Sequence, residues 1–111
     1  NIFKQWKTID METTIKNENG AVLVTLDGRL DTAQAAECEK DFQPLLQQAD
    51  QQIVIDCTRL EYISSSGLRL LLTLRKAVEE KGGHLTIEHI NDDIRKVFTL
   101  TGFFKLFDIR S

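Results

Sequence analysis

Apolar and polar residues are arranged along the chain in patterns that predict four strands and three helices. The strand patterns cover residues 13–17, 21–27, 52–56 and 84–87, and the helical patterns cover 32–48, 68–81 and 92–101. Strand and helix alternate after the second strand, which is typical of parallel strands joined by helical crossovers. The order ββαβαβα predicts an α/β fold, a mixed β-sheet with flanking helices. We expect the aromatic tail at 103–107 to pack on the domain or to add a short strand.

The first two predicted strands form a hairpin. Asn19-Gly20 lies between them, and this dipeptide is the strongest short hairpin signal. Apolar side chains occupy both faces of the second strand, and Val22, Val24 and Leu26 share one of them. The first strand is more polar. We therefore expect the second strand inside the sheet and the first nearer an edge.

Residues 28–31 are predicted to form a turn into the first helix, with Asp31 or Thr32 as its N-cap. The apolar positions of this helix form one stripe, which should face the core. Pro44 interrupts the pattern, because proline lacks an amide donor and clashes with the preceding turn. We expect a kink or a break near Gln43.

Three adjacent serines join the most apolar strand pattern to the strongest helix pattern. Residues 53–55 are typical of a central strand, and the chain is predicted to leave the sheet through residues 57–63. A serine hydroxyl can accept a hydrogen bond from the first helical turn, so Ser64 or Ser65 is the expected N-cap. A phosphate on these serines would be stabilised by the positive end of the helix dipole. The alternative is that Ser64, Ser65 and Ser66 only cap the helix.

The helical wheel of residues 68–81 divides this helix into two faces. The predicted core stripe is formed by Leu70, Leu71, Leu74, Ala77 and Val78. Leu68 and Leu72 lie off this stripe, and Arg69 lies beside them. Two exposed leucines one turn apart, close to the serines, predict a docking patch for a partner. The alternative is that a loop or a terminal segment of the same chain covers them.

Length and composition fit one ordinary globular domain. The chain has 111 residues, of which 41% are hydrophobic and 28% charged, and a formal net charge of -3 without a basic cluster. Nucleic acid is therefore not an expected partner. No segment has the apolar length of a bilayer span or a secretory signal, so we expect no membrane partner and a cytoplasmic location. Cys38 and Cys57 are expected to be reduced, small apolar residues.

We divide the chain into residues 1–10 and a single domain over residues 11–111. Met11 has the character of a natural start. The short segment before it is expected to be an N-terminal extension that is either disordered or introduced for expression, since so short a segment is marginal as an isolated helix.

No pattern in the sequence indicates catalysis. Phosphate-binding loops, nucleophile elbows and zinc-binding helices are absent, and the serines have no evident general base. His84 and His89 alternate onto opposite faces of one predicted strand, which disfavours a shared metal ion. We predict that the chain is not an enzyme and has no catalytic residues, no metal site and no cofactor.

Several motifs occur in the order found in the sulfate-transporter and anti-sigma-factor-antagonist (STAS) domain. The chain resembles this domain, and in particular the stand-alone bacterial anti-sigma factor antagonists. The likeness extends from Met11 to Ile109. It rests on the sequences GRLDT at 28–32, LEYISSSGL at 60–68, GG at 82–83 and IRKVFTLTGFFKL at 94–106.

The resemblance implies a phosphorylation-controlled partner-switching protein. It places the phosphate on Ser66, directly before the glycine, with Ser65 and Ser64 as less favoured positions. The unphosphorylated protein would bind an anti-sigma factor that is also a serine kinase with a histidine-kinase-like ATPase fold, and would so release a sigma factor. A metal-dependent serine phosphatase would restore this form, and we expect a monomer or a weak dimer. The implied partner-binding residues are Asp31, Ser65, Gly67 and Leu68, to which the helical wheel adds Arg69 and Leu72.

The sequence departs from the family at two points. Ser64 stands where many members have aspartate, which leaves three adjacent serines. The family's usual final helix has no counterpart before Ser111, and either truncation or occupation of that surface by residues 1–10 would explain this. Two rival functions stay open: a non-switching STAS scaffold or transport accessory subunit, and an unrelated enzyme with a serine nucleophile.

Overall fold

The computed structural model describes residues 11–110, which form one mixed sheet of five strands with helices between them. The strands are β1 (Met11–Glu18), β2 (Ala21–Leu30), β3 (Gln52–Ile63), β4 (His84–Glu88) and β5 (Asp108–Arg110). The helices are α1 (Thr32–Gln47), α2 (Ser65–Lys81) and α3 (Asp92–Thr101), and a short 3₁₀ helix follows at Phe103–Lys105. The predicted order ββαβαβα is confirmed, and β5 is the short strand that the tail adds. The predicted extension at 1–10 lies outside the described residues.

The strands follow their sequence order across the sheet. β1 and β2 are antiparallel and are joined by the Asn19-Gly20 turn, where φ is 50° and 79°. Each later pair of neighbouring strands is parallel. β1 therefore lies at an edge and β2 inside, as predicted, and the carboxyl ends of β2, β3 and β4 point towards the same edge of the sheet.

Apolar side chains of the three central strands lie in register and form the floor of the core. The two central rows are Val22, Ile53 and Leu85, and Val24, Ile55 and Ile87, and all six side chains are buried. The helices add their own buried stripes, including Leu71, Leu74 and Val78 from α2. Cys38 and Cys57 are free and buried, as expected, and burial raises the pKa of the Cys57 thiol to about 12.

β2 and β3 are longer at their carboxyl ends than the sequence pattern predicts. Residues 28–30 were predicted as a turn and residues 57–63 as a segment outside the sheet, but these residues pair with each other as far as Leu30 and Ile63. Both predictions were wrong because two register shifts interrupt the alternation that identifies a strand. Gly28 has a φ of 113° at one of these shifts, a conformation that other residues rarely adopt.

α1 continues through Pro44, so it does not break there. Pro44 and Lys40 both lie on the exposed side of the helix. Water can therefore hydrate the carbonyl of Lys40 that proline leaves without an amide donor. A bilayer span would need a longer and more apolar helix than any that the described part of the chain contains.

Candidate functional site

Three helices begin at the carboxyl edge of the sheet, because each of them follows a parallel strand. Each has a polar N-cap side chain that accepts a hydrogen bond from the amide three residues further on. The pairs are Asp31 with Gln34 at 2.8 Å, Ser64 with Gly67 at 3.2 Å, and Asn91 with Ile94 at 2.8 Å. The positive ends of three helix dipoles thus lie along one edge, which favours an anionic group there.

Two further hydrogen bonds join these caps to the sheet. The amide of Ser64 donates to the carbonyl of Leu30 at 2.8 Å, which fixes the start of α2 against the end of β2. The side-chain amide of Asn91 donates to the carbonyl of Leu60 at 3.0 Å. Leu60 lies beyond Asp56, the last residue of β3 that pairs with β4, so Asn91 takes the place of the missing strand partner. Hydrogen bonds therefore tie the starts of α2 and α3 to the ends of the neighbouring strands.

The three serines occupy different environments. Ser64 is 7% exposed and its hydroxyl caps α2, so one of the two predicted N-caps is confirmed. Ser65 is exposed at the first position of the helix, and Ser66 is half-buried at the second. Ser65 and Ser66 therefore have hydroxyl groups that can be modified without the loss of the cap, whereas modification of Ser64 would remove it.

A groove of about 340 Å³ lies between the amino-terminal halves of α1 and α2. Its lining residues are Thr32, Ala35, Ala36, Glu39, Ser66, Arg69, Leu70 and Thr73. The small side chains of α1 leave this space open beside Ser66. The predicted N-cap Asp31 precedes the groove by one residue, so the structure brings Asp31, Ser66 and Arg69 to one part of the surface.

Gly67 is required by the close contact between α2 and the strand ends. A Cβ atom at this position would lie 2.8 Å from a side-chain carbon of Ile63 and 2.8 Å from one of Leu30. Both neighbours belong to the core and have little freedom to move. Gly67 is itself buried, which gives this predicted partner-binding residue a packing role.

The predicted exposure of Leu68 is wrong, whereas the predicted exposure of Leu72 is confirmed. Leu68 is only 9% exposed, whereas Leu72 is 37% exposed. The helical wheel gives an angular position around the helix but not the distance along it. The first turn of α2 is enclosed by the ends of β2 and β3, as the contacts of Gly67 show, and Leu68 lies in that turn. Leu72 is one turn further and reaches the surface.

Sequence reasoning missed an exposed pair at the same edge. The guanidinium of Arg29 lies 4.6 Å from the centre of the Tyr62 ring, and Tyr62 is 40% exposed. The two residues are direct neighbours across β2 and β3. Only the register of these strands could have revealed the pair, and the register depends on the two shifts that the sequence pattern does not show.

His84 does not supply a general base to the serines. His84 lies at the amino end of β4, and its Nε2 is 2.9 Å from Asp108 of β5, at the opposite edge of the sheet from α2's first turn. Two hydrogen bonds from Arg110, and after them this contact with His84, hold the pKa of the Asp108 carboxyl below its ordinary value. Within residues 11–110, no cluster of three or more His, Cys, Asp or Glu side chains could hold a metal ion.

Comparison with known proteins gives a match over nearly the whole chain. The family model for the STAS domain matches residues 12–111. BtrV of Bordetella bronchiseptica, a protein proposed to be an anti-sigma factor antagonist, is 29% identical over 99 residues, which cover 89% of this chain and 85% of BtrV. The anti-sigma-B factor antagonist of Bacillus subtilis is 26% identical over 102 residues, which cover 91% of this chain and 92% of that protein.

One solved structure supports the fold independently. SpoIIAA of Bacillus in its phosphorylated form matches with a TM-score of 0.68 at 20% identity, over 90% of this chain and 92% of that chain. At this identity the likeness concerns the fold alone.

Replacement of Ser64 by alanine should lower the free energy of unfolding by about 1 kcal/mol, because the first turn of α2 loses its side-chain cap. Ser65→Ala is the matched control, since Ser65 is exposed and caps nothing, and it should change stability by less than about 0.5 kcal/mol. Urea unfolding of both variants checks this. Equal stabilities of the two variants would contradict the capping role of Ser64.

Proposed function

We infer the function from one premise: the chain belongs to the STAS domain family. We propose that it is an anti-sigma factor antagonist, which binds an anti-sigma factor while unphosphorylated and so releases a sigma factor. Its relatives named as anti-sigma factor antagonists support this assignment. The observation that carries it is the position of Ser66, a serine without a capping role that faces a groove between two helix N-termini.

In this proposal the phosphate is carried by Ser66. The first turn of a helix has amide groups without carbonyl partners, and these can donate to phosphate oxygens. Ser64 already holds the helix end in place, so a phosphate on Ser66 changes the surface and leaves the cap intact. Ser64 itself is the least suitable acceptor, because it is buried and its hydroxyl accepts from Gly67.

The proposed partner is an anti-sigma factor that is also a serine kinase with a histidine-kinase-like ATPase fold. It would contact the surface around Asp31, Ser65, Arg69 and Leu72. A phosphoserine at neutral pH adds a charge of about -1.5 to -2 to this surface. In the complex this charge would have to lose its water or would be repelled by the partner, and either effect weakens binding. A metal-dependent serine phosphatase would reverse the modification.

Ser66→Asp should weaken binding of the kinase, whereas Ser66→Ala should retain it, because aspartate supplies part of the charge of a phosphate and alanine supplies none. Calorimetric titration of the kinase with each variant measures the two dissociation constants.

Incubation of the unsubstituted protein with the kinase and ATP, followed by peptide mass spectrometry, should place the phosphate on Ser66, and Ser65→Ala serves as the matched control. A phosphate confined to Ser65 or Ser64, or equal binding by both Ser66 variants, would favour a non-switching scaffold or transport accessory role.

Leu72→Glu should leave the fold nearly unchanged, with a stability change of no more than about 0.5 kcal/mol, since Leu72 is exposed. Binding to the kinase should weaken by about thirtyfold if Leu72 is a buried anchor of the complex, which corresponds to roughly 2 kcal/mol. Thermal melting and binding are measured on the same variant. A melting temperature that falls by several degrees would show that Leu72 belongs to the core, and unchanged binding would remove it from the partner surface.

A further inference from the structure

The six arginines of residues 11–110 differ in whether their guanidinium groups have a partner. Arg59, Arg75 and Arg110 form ion pairs with carboxylates. Arg29 and Arg95 lie over the aromatic rings of Tyr62 and Phe104. Arg69 makes neither kind of contact within the described chain.

Arg69 is placed beside Ser66 by helix geometry. Residues three apart on a helix are neighbours on its surface, and both side chains line the groove between α1 and α2. Glu39 lines the opposite wall but does not come within ion-pair distance of Arg69. Among residues 11–110, the groove therefore contains a cation without a counter-ion directly next to the serine that we propose to be modified.

Arg69 lies in the second turn of α2, so the helix dipole does not favour its positive charge. A cation in the second turn is close to the positive end of the helix dipole, where positive charge is unfavourable. A phosphate on Ser66 would reverse this, since a guanidinium can donate two parallel hydrogen bonds to phosphate oxygens. The amides of the first turn would donate to the same group.

We propose that Arg69 is the internal counter-ion of the phosphate on Ser66. This inference rests on the proposed phosphorylation of Ser66 and states how the modified site is regulated. Pairing with the phosphate removes Arg69 from the surface that a partner contacts. Modification then has two effects on the surface that a partner contacts: it adds a negative charge, and it withdraws a positive one.

The test uses the full chain with phosphoserine inserted at position 66 during synthesis, so that it does not depend on any kinase. The second ionisation of the phosphate is followed by phosphorus NMR as a function of pH. A counter-ion stabilises the dianion and lowers this pKa from its ordinary value of about 6. Arg69→Gln should therefore raise the pKa by about 0.5 unit, a threefold change in proton affinity.

Lys76→Gln is the matched control, because it removes one positive charge from the same helix, about two turns beyond Arg69 and further from the phosphate. It should raise the pKa much less than Arg69→Gln. Arg69→Lys should restore part of the difference, since it keeps the charge but loses the bidentate geometry. In the unsubstituted protein, the Nε–H resonance of Arg69 should shift on phosphorylation.

Equal pKa values in the unsubstituted protein and Arg69→Gln, or equal effects of Arg69→Gln and Lys76→Gln, would overturn the assignment of Arg69. An unshifted Arg69 Nε–H resonance would overturn it as well. Failure of the proposed function has a different signature: the kinase would then modify another serine, while the pKa difference in the synthetic phosphoprotein would persist.

Discussion

The junction at Ser64 is the constraint on which the candidate site depends. Its amide donates to the carbonyl of Leu30, its hydroxyl accepts from the amide of Gly67, and its carbonyl accepts from the amide of Leu68. One buried residue thus joins the end of β2 to the first turn of α2. A side-chain cap contributes only about 1 kcal/mol, but it fixes the direction in which the next two serines project.

The close packing around Gly67 also holds the first turn of α2 in a fixed position. With no space for a side chain between α2 and the ends of β2 and β3, the first turn of α2 cannot move closer to the sheet. A phosphate on Ser66 therefore acts on a fixed surface. Partner exchange through a change of charge requires less reorganisation than exchange through a change of fold, and the groove beside Ser66 is already open.

The sequence alone predicts most elements of the fold because local patterns determine them. Asn19-Gly20 predicts the hairpin, and the alternation of Val22, Val24 and Leu26 predicts the covered face of β2; both agree with the structure. The long carboxyl ends of β2 and β3 could not be predicted, since buried Cys57, Leu60 and Ile63 are spaced by three residues where a regular strand has two. Register shifts produce this spacing, and they depend on the partner strand.

In the candidate site too, features with a local cause could be predicted from the sequence. Ser64 as a cap follows from local chemistry, and Leu72 follows from the helical wheel. The burial of Leu68 and the pairing of Arg29 with Tyr62 depend on contacts between elements distant in the sequence. Arg69 is identified as the one arginine without a carboxylate or aromatic partner among residues 11–110 only when the partners of the other arginines there are known.

The central claim is that a phosphate on Ser66 changes the surface at the carboxyl edge of the sheet and leaves the fold unchanged. Amide NMR spectra of the unmodified protein and of the protein with phosphoserine at position 66 test it most directly. We expect shifted resonances in the first turns of α1 and α2 only, with the amides of β3 and β4 unmoved between Gln52 and Asp56 and between His84 and Glu88. Shifts throughout these strands, or loss of their protection from hydrogen exchange, would contradict the claim.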